Sequence, residues 1–203
     1  MITIVNYDMG NLGSIQNMLK KIGVTSIITS SKDEVLAADK ILLPGVGHFH
    51  RAMENLTKFD LIDALNQKVL FEKTPILGIC LGMQLMTTYS EEGDCEGLGW
   101  IDAQTVRFPT YELSGFKVPH MGWNEVIFPK PHFLAEGLVD SRYYFVHTYR
   151  VKCKSPENVL CTTSYGEMFH SGICKDNVMG VQFHPEKSHT FGMRLLENFC
   201  NGL

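Results

Sequence analysis

The chain has 203 residues, of which 44% are hydrophobic and 20% are charged, and 18 basic against 22 acidic residues give it a net charge of −4. This composition is typical of globular proteins, so it argues against a disordered or fibrous chain and against a nucleic-acid protein that binds through bulk positive charge. The sequence contains no apolar run of about 18 residues and no basic leader at its start, so we expect neither a transmembrane helix nor a signal peptide.

The first part of the chain, up to about Gly97, alternates short apolar runs with amphipathic segments. The apolar runs predict strands at Ile2–Val5, Ser26–Thr29, Lys40–Leu43 and Pro75–Ile79. The spacing of apolar residues predicts helices at Ser14–Ile22, Phe49–Leu56, Leu61–Phe71 and Gln84–Tyr89, and a capping box of Ser31 and Glu34 predicts a further short helix. Such alternation is typical of parallel strands covered by helices on both faces.

The second part of the chain is dominated by strand-like segments separated by turn residues. The predicted strands are Ile101–Phe108, Glu125–Phe128, Tyr143–Val151, Val159–Ser164, Met168–Cys174 and Val178–Phe183. A final helix is predicted at His189–Phe199. We expect an antiparallel meander that joins the parallel sheet, and therefore an α/β three-layer sandwich with a mixed, mostly parallel central sheet.

Length and cysteine content predict the organisation of the chain and its compartment. At roughly 100–200 residues per domain, the length predicts one domain spanning residues 1–203. None of the six cysteines belongs to a Cys-x-x-Cys pair. We therefore expect reduced thiols in a cytoplasmic protein, with neither a disulfide framework nor a zinc site.

One cysteine lies in a reactive context. Residues 78–82 read Gly-Ile-Cys-Leu-Gly, after an apolar strand and directly before a helix. This is the pattern of a nucleophile elbow, with Cys80 in the place of the nucleophile, and a helix that begins there favours the thiolate. The amide of Leu81 then lies where it could bind an oxyanion. The alternative is a buried cysteine in a core strand with glycines for packing.

A strand that ends in His-Pro-Glu supplies the other groups that a thiol enzyme needs. His184 and Glu186 are two residues apart, so on a strand both side chains point the same way, and Glu186 could orient the imidazole. The alternative is a surface histidine near a charged turn. Residues 44–47, Pro-Gly-Val-Gly, follow another strand and could bring a second amide to the oxyanion, although such a segment is often only a tight turn.

These motifs together resemble the class I, or triad, glutamine amidotransferases. The pair Gly-Ile-Cys-Leu-Gly-Met-Gln and Gly-Val-Gln-Phe-His-Pro-Glu-Lys carries the resemblance to the family. Segments 7–14, 43–49, 118–124 and 144–149 are similar to the branch that provides the glutaminase subunit of imidazole glycerol phosphate synthase, in histidine biosynthesis. The resemblance extends from Tyr7 to the last helix and implies a class I amidotransferase-like, flavodoxin-like fold.

The resemblance also implies the reaction and the residues that perform it. Glutamine is hydrolysed to glutamate and ammonia by a triad of Cys80, His184 and Glu186, without a cofactor or metal. The oxyanion is held by the amide of Leu81 and by the loop that contains Val46 and Gly47. Glutamine is bound with the help of further residues, for which the alternative is ordinary packing and strand hydrogen bonding: Gln84, His147, Thr148 and Tyr149.

Finally, the resemblance implies a partner that uses the ammonia. The sequence has no Gly-x-x-x-x-Gly-Lys-Ser/Thr loop that would activate an acceptor. In the family, ammonia passes into a (β/α)8-barrel cyclase that forms imidazole glycerol phosphate and AICAR, in a heterodimer. The expected contact residues are Asn11, Trp123, Asn124 and Lys187; the alternative for Trp123 is a place in the core.

Three other functions stay open at this point. The first is a paralogous amidotransferase that supplies ammonia to surface-polysaccharide sugar biosynthesis. The second is a thiol hydrolase of the same sheet topology, which should lack the Gln-Phe-His-Pro-Glu strand end found here. The third is a non-catalytic interaction module, against which the presence of all three triad residues argues.

Overall fold

The computed structural model describes residues 1–109 and 115–202. The helices of this part of the chain are α1 (Leu12–Lys21), α2 (Lys32–Leu36), α3 (Phe49–Lys58), α4 (Ile62–Asn66), α5 (Leu81–Leu85) and α6 (His189–Asn201). A π-helical turn spans Gln67–Phe71, and 3-10 turns span Phe133–Ala135, Pro156–Asn158 and Pro185–Lys187. Among these helices there is none with the length and apolarity required to span a membrane.

The strands of the described residues form one large sheet and one small sheet. In chain order they are β1 (Ile2–Val5), β2 (Ser26–Thr29), β3 (Lys40–Gly45), β4 (Ile76–Cys80), β5 (Tyr89–Ser90), β6 (Cys95–Glu96), β7 (Ala103–Arg107), β8 (His120–Glu125), β9 (Arg142–His147), β10 (Tyr149–Cys153), β11 (Val159–Tyr165), β12 (Glu167–Lys175) and β13 (Val178–Val181). The large sheet has 11 strands in the order β2-β1-β3-β4-β13-β12-β10-β7-β5-β6, with β11 beside β12, and β8 pairs with β9 in the small sheet.

The parallel part of the large sheet determines where a site can form. Strands β2, β1, β3, β4 and β13 are parallel neighbours, in the order of a flavodoxin-like sheet. In such sheets ligands bind beyond the carboxyl ends of the strands. Strands β3 and β4 end in register, with Gly45 opposite Cys80, and β13 runs beside β4. The chemistry-bearing motifs therefore lie together at the carboxyl ends of the parallel strands.

Alternating side chains along the parallel strands cover both faces of the sheet. Ile41 and Leu43 of β3 pack into a core that includes residues of α3 and α4. Leu42, between them, packs into a second core on the other face, together with residues of α1 and α6. Because helices bury both faces, the predicted three-layer α/β sandwich is confirmed.

Three predicted elements differ from those of the structure. The helix predicted at Gln84–Tyr89 begins earlier, as α5 directly after Cys80, and Tyr89 instead pairs in β5 with Gln104 of β7. The strand predicted at Glu125–Phe128 lies mostly before Glu125, as β8. The strand predicted at Tyr143–Val151 is broken at Thr148, because β9 joins the small sheet and β10 the large one.

The predicted capping box before α2 is wrong. Ser31 is the residue before the helix, but its side chain makes no capping hydrogen bond. Glu34 instead accepts a hydrogen bond from the hydroxyl of Thr29, whose oxygen in turn accepts from the Ser31 amide at 2.8 Å. The polar groups of this turn are thus satisfied through the end of β2.

Lys40 connects the start of β3 to the end of the last helix. Its ammonium donates to the carbonyls of Cys200 at 2.8 Å and Phe199 at 3.2 Å, and also to that of Gly202. The last carbonyls of a helix have no partners within it, so this side chain satisfies them.

We expect Lys40→Met to lower the free energy of unfolding by about 1–2 kcal/mol, because it leaves those carbonyls without a charged donor. Urea denaturation of the variant measures the effect. The control is Lys20→Met, which removes a lysine that is exposed on α1 and should stay close to wild type. Equal stabilities of Lys40→Met and wild type would show that the contact contributes nothing.

Candidate active site

Cys80 lies in a strained turn between β4 and α5. Its backbone has φ 56° and ψ −111°, a left-handed conformation that is rare outside glycine. The glycines on either side are required by close packing. A Cβ on Gly78 would lie 2.7 Å from the backbone of Gly82, and one on Gly82 would overlap the Leu43 carbonyl. The chain therefore turns sharply enough to hold the sulfur above the end of the sheet.

His184 and Glu186 form a buried pair. Imidazole Nδ1 lies 2.7 Å from Oε1 of Glu186, and the two side chains are only 1% and 2% exposed. The prediction that strand alternation aligns them is wrong, because β13 ends at Val181. Instead, His184 opens the 3-10 turn Pro185–Lys187, and the Ser188 hydroxyl donates to the His184 carbonyl at 2.6 Å. The short turn brings the carboxylate back onto the ring.

Cys80 and Glu186 act on the imidazole together. Burial lowers the pKa of His184, but the nearby sulfur of Cys80 and the hydrogen-bonded carboxylate of Glu186 outweigh it, so the pKa rises to about 10. The other ring nitrogen, Nε2, is buried and has no hydrogen-bond partner among residues 1–109 and 115–202. Both neighbours thus favour the protonated imidazole, and its Nε2–H is the proton available to a reacting group.

A cavity of about 220 Å³ opens above Cys80. This is below the roughly 300–1,000 Å³ of sites for drug-sized ligands, so it suits a smaller molecule. The cavity brings together Cys80 and all the residues that the sequence assigns to the oxyanion or to glutamine: Val46, Gly47, Leu81, Gln84, His147, Thr148 and Tyr149. His147, Thr148 and Tyr149 lie at the break between β9 and β10, and this break allows them to line the cavity.

The loop after β3 lies beside the sulfur. The Tyr7 hydroxyl donates to the Pro44 carbonyl at 2.6 Å and so fixes the start of the loop. Gly47 has φ 125°, a conformation that strongly favours glycine, and Val46 is half-exposed. Directly after Cys80, the amide of Leu81 belongs to the first turn of α5, where amides have no partner within the helix. Both candidate oxyanion donors thus adjoin the cavity.

Two residues of the site were not assigned from the sequence. Glu92 lines the cavity, and its Oε2 accepts from the Phe49 amide at 2.8 Å. Gln182 lies behind the cavity, with Nε2 3.7 Å from the sulfur of Cys80. The position of Gln182 two residues before His184 was a usable signal, whereas nothing local marks Glu92, which lies in a loop after β5.

The residues expected to contact a partner are on more than one element. Trp123 is 43% exposed and stacks on His189 with ring centroids 5.4 Å apart, so the alternative of a place in the core is wrong. Lys187 lies over the Tyr144 ring at 5.6 Å, which places it on the same surface. Asn124 donates to the Ser164 carbonyl at 2.9 Å.

Asn11 lies apart from this group in the chain, at the start of α1. It is exposed, and its side chain makes no capping hydrogen bond to the helix.

Known proteins resemble this chain over its whole length. Residues 3–203 match the family described as glutamine amidotransferase class-I. A protein of Methanococcus maripaludis named imidazole glycerol phosphate synthase subunit HisH 2 is 55% identical over 98% of both chains. Another with that name, from Pseudomonas aeruginosa, is 44% identical over 98% of both. A Campylobacter jejuni protein named imidazole glycerol phosphate synthase subunit HisH 1 is 46% identical over 98% of this chain and 99% of its own.

Solved structures agree on the fold. A structure titled as a glutamine amidotransferase superimposes with a TM-score of 0.76 at 18% identity, and covers 98% of this chain and 97% of its own. At that identity the likeness concerns the fold alone. The full-length sequence matches identify the family: the chain belongs to the class-I glutamine amidotransferases.

Proposed function

We propose that this chain is the glutaminase subunit of an imidazole glycerol phosphate synthase, built as one amidotransferase domain over residues 1–203. The observation that carries the proposal is the strained Cys80 at the base of a small cavity, next to the buried His184–Glu186 pair. The names of relatives that are 44–55% identical over nearly the whole chain support the choice of synthase.

The chemistry follows from the positions of the three side chains. The Cys80 thiolate attacks the carboxamide carbon of glutamine, and a C–S bond forms. His184 gives its Nε2 proton to the departing nitrogen, and the C–N bond breaks. Ammonia is released, and a thioester on Cys80 remains. His184 then takes a proton from water, whose oxygen attacks the thioester, and the C–S bond breaks to release glutamate and restore the thiolate. Glu186 keeps the ring oriented and its charge stabilised.

The cavity wall supports binding of glutamine beside the sulfur. The amide of Leu81 and those of Val46 and Gly47 are the candidate donors to the oxyanion, each worth about 3–4 kcal/mol in the transition state. The carboxylate of Glu92 is the acidic group of the wall and suits the α-ammonium of an amino acid.

The remaining cavity residues assigned to glutamine provide polar groups. Gln84, His147, Thr148 and Tyr149 offer amide, imidazole, hydroxyl and backbone groups for the rest of the molecule.

The ammonia requires a second subunit. We propose a heterodimer in the cytoplasm with a (β/α)8-barrel cyclase, which receives the ammonia and forms imidazole glycerol phosphate and AICAR. The exposed Trp123, with Lys187 beside it, is the proposed contact surface, because exposed aromatic residues are enriched at interfaces. Asn11 and Asn124 are proposed as its flanking polar contacts.

A second candidate function is a paralogous subunit that serves a different acceptor. Several relatives have numbered names, HisH 1 or HisH 2, which distinguish more than one such subunit. A copy of this kind could supply ammonia to surface-polysaccharide sugar biosynthesis.

The test that separates the two acceptors mixes the chain with the cyclase of the same organism and measures glutamine-dependent formation of imidazole glycerol phosphate. If only free ammonium supports that synthesis, the histidine assignment is overturned and the sugar pathway is favoured.

We expect the isolated chain to hydrolyse glutamine at least about a hundredfold more slowly than the complex with cyclase and acceptor substrate, because one missing oxyanion donor lowers the rate about 10²–10³-fold. The Gly45–Gly47 loop has two glycines, so either orientation of its peptides has little steric cost. Binding of the partner can then select the orientation that points an amide inward. Steady-state assays of the chain, the complex, and the complex with acceptor measure this, and three equal rates would mean a preformed hole.

A further inference from the structure

Gln182 is a fully buried polar residue that contacts the sulfur of Cys80. It follows β13, and its backbone amide donates to the Ser171 carbonyl at 2.8 Å. Its side-chain nitrogen lies 3.7 Å from Sγ of Cys80, within hydrogen-bond range for the large sulfur atom. The mechanism described above gives this side chain no role.

The orientation of the Gln182 amide follows from its neighbours. The Nε2 of Gln84 lies 3.2 Å from the backbone carbonyl of Tyr149 and 3.0 Å from Oε1 of Gln182. A carbonyl only accepts, so the Gln84 atom that faces it must be the NH2 group. That NH2 only donates, so the Gln182 atom that faces it must be the oxygen. The remaining atom of Gln182, the one that faces sulfur, is therefore the NH2 group.

The carbonyl that starts this chain of hydrogen bonds is itself held in place. The Nδ1 of His147 lies 2.7 Å from the Tyr149 oxygen, which therefore receives two donors. Gln84 and Gln182 are 5% and 0% exposed, so water competes little for their amides. Flipping the Gln182 amide would place NH2 against NH2 and leave a buried oxygen against sulfur, which is costly for groups with so little access to water.

We propose that Gln182 is a catalytic residue of the glutaminase reaction, which donates a hydrogen bond to Sγ of Cys80 and stabilises the thiolate. The inference rests on the proposed function, in which Cys80 is the nucleophile. The thiolate occurs twice in each cycle, first as the attacking group and again as the group that leaves the thioester. A donor fixed in the protein stabilises the negative sulfur at both points without reorganisation.

Several titratable groups share the surroundings of the sulfur with the Gln182 amide. They are Tyr7 after β1, Glu92 after β5, His147 at the end of β9, Tyr149 at the start of β10, and His184 with Glu186 in the turn that follows Gln182. Burial, followed by the charge of Cys80, raises the pKa of Tyr7. None of these groups is replaced in a Gln182 variant. A shift in the titration of the sulfur therefore measures the loss of the Gln182 amide.

The test is the pH dependence of alkylation of Cys80 by iodoacetamide, followed by mass spectrometry of the Cys80 peptide from the full chain. Gln182→Met keeps the bulk and removes the donor. We expect its alkylation midpoint to rise by about one pH unit, and kcat for glutamine hydrolysis with the cyclase present to fall about tenfold, as for the loss of one hydrogen bond to a charged group. Gln182→Asn, which is too short to reach the sulfur, should shift the midpoint in the same direction.

The matched control is Thr163→Val. It removes the buried 2.8 Å hydrogen bond between Thr163 and Ser171 on the neighbouring strands, and should leave the alkylation midpoint unchanged. Midpoints of both Gln182 variants within about 0.3 of wild type would overturn the inference even if kcat falls, because a packing defect lowers activity without moving the titration. Retained glutaminase activity in Cys80→Ala would overturn the proposed function instead.

Discussion

Replacing Cys80 with alanine is expected to lower glutamine hydrolysis by at least about 10⁴-fold, as removal of the nucleophile does in enzymes with comparable triads. The sulfur is the atom that forms the thioester, and no other cysteine lines the cavity described here. Alanine leaves the turn between β4 and α5 with a smaller side chain, so the fold should persist. Glutamate release, measured with the cyclase present, gives the loss of activity.

Two controls belong with this variant. Cys200→Ala changes a half-buried cysteine in α6, away from the cavity, and should keep wild-type activity. Synthesis by the Cys80→Ala complex should continue when free ammonium is supplied, because the cyclase then needs no glutaminase. A Cys80→Ala variant that still hydrolyses glutamine would mean that another group attacks the substrate.

Replacing His184 with alanine is expected to lower kcat by about 10³–10⁴-fold, the upper range for loss of a general acid–base group. No proton donor would remain for the departing ammonia. Glu186→Gln should have a smaller effect, of about 10²-fold, because nucleophile and base both stay in place.

The pH dependence gives a second readout for Glu186. The carboxylate raises the pKa of His184, which lies at about 10, so its removal lowers that pKa. The alkaline limb of the kcat profile should therefore move to lower pH in Glu186→Gln. His50→Ala, in an exposed part of α3, is the control. A Glu186→Gln variant with wild-type rate and profile would reduce Glu186 to a structural residue.

The groups that could be assigned from the sequence lie within short segments. The glycines of the Gly-Ile-Cys-Leu-Gly run that permit the tight turn are close in the chain, since Gly78 and Gly82 meet across only a few residues. His184 and Glu186 are likewise close in the chain. The sequence predicts their contact through the alternation of side chains on a strand. In the structure β13 ends at Val181, and the contact arises from a 3-10 turn instead.

Other features depend on contacts between distant segments. The break at Thr148 exists because β9 pairs with β8 and β10 with β7, and no local pattern reports which partner a strand will take. Tyr89 looks helical by its neighbours but pairs as a strand with Gln104. Glu92 reaches the cavity from a loop after β5, and its carboxylate accepts a hydrogen bond from the Phe49 amide.

The sequence by itself determined the sandwich and the family, because strand and helix periodicity and the two turn motifs are encoded in neighbouring residues. Only the tertiary structure decided what surrounds the sulfur. Gln84 and Gln182 are far apart in the chain, and their amides become a directed pair only where α5 packs against the end of β13. Such a pair is selected by burial, since polar groups removed from water must find partners that the folded chain places beside them.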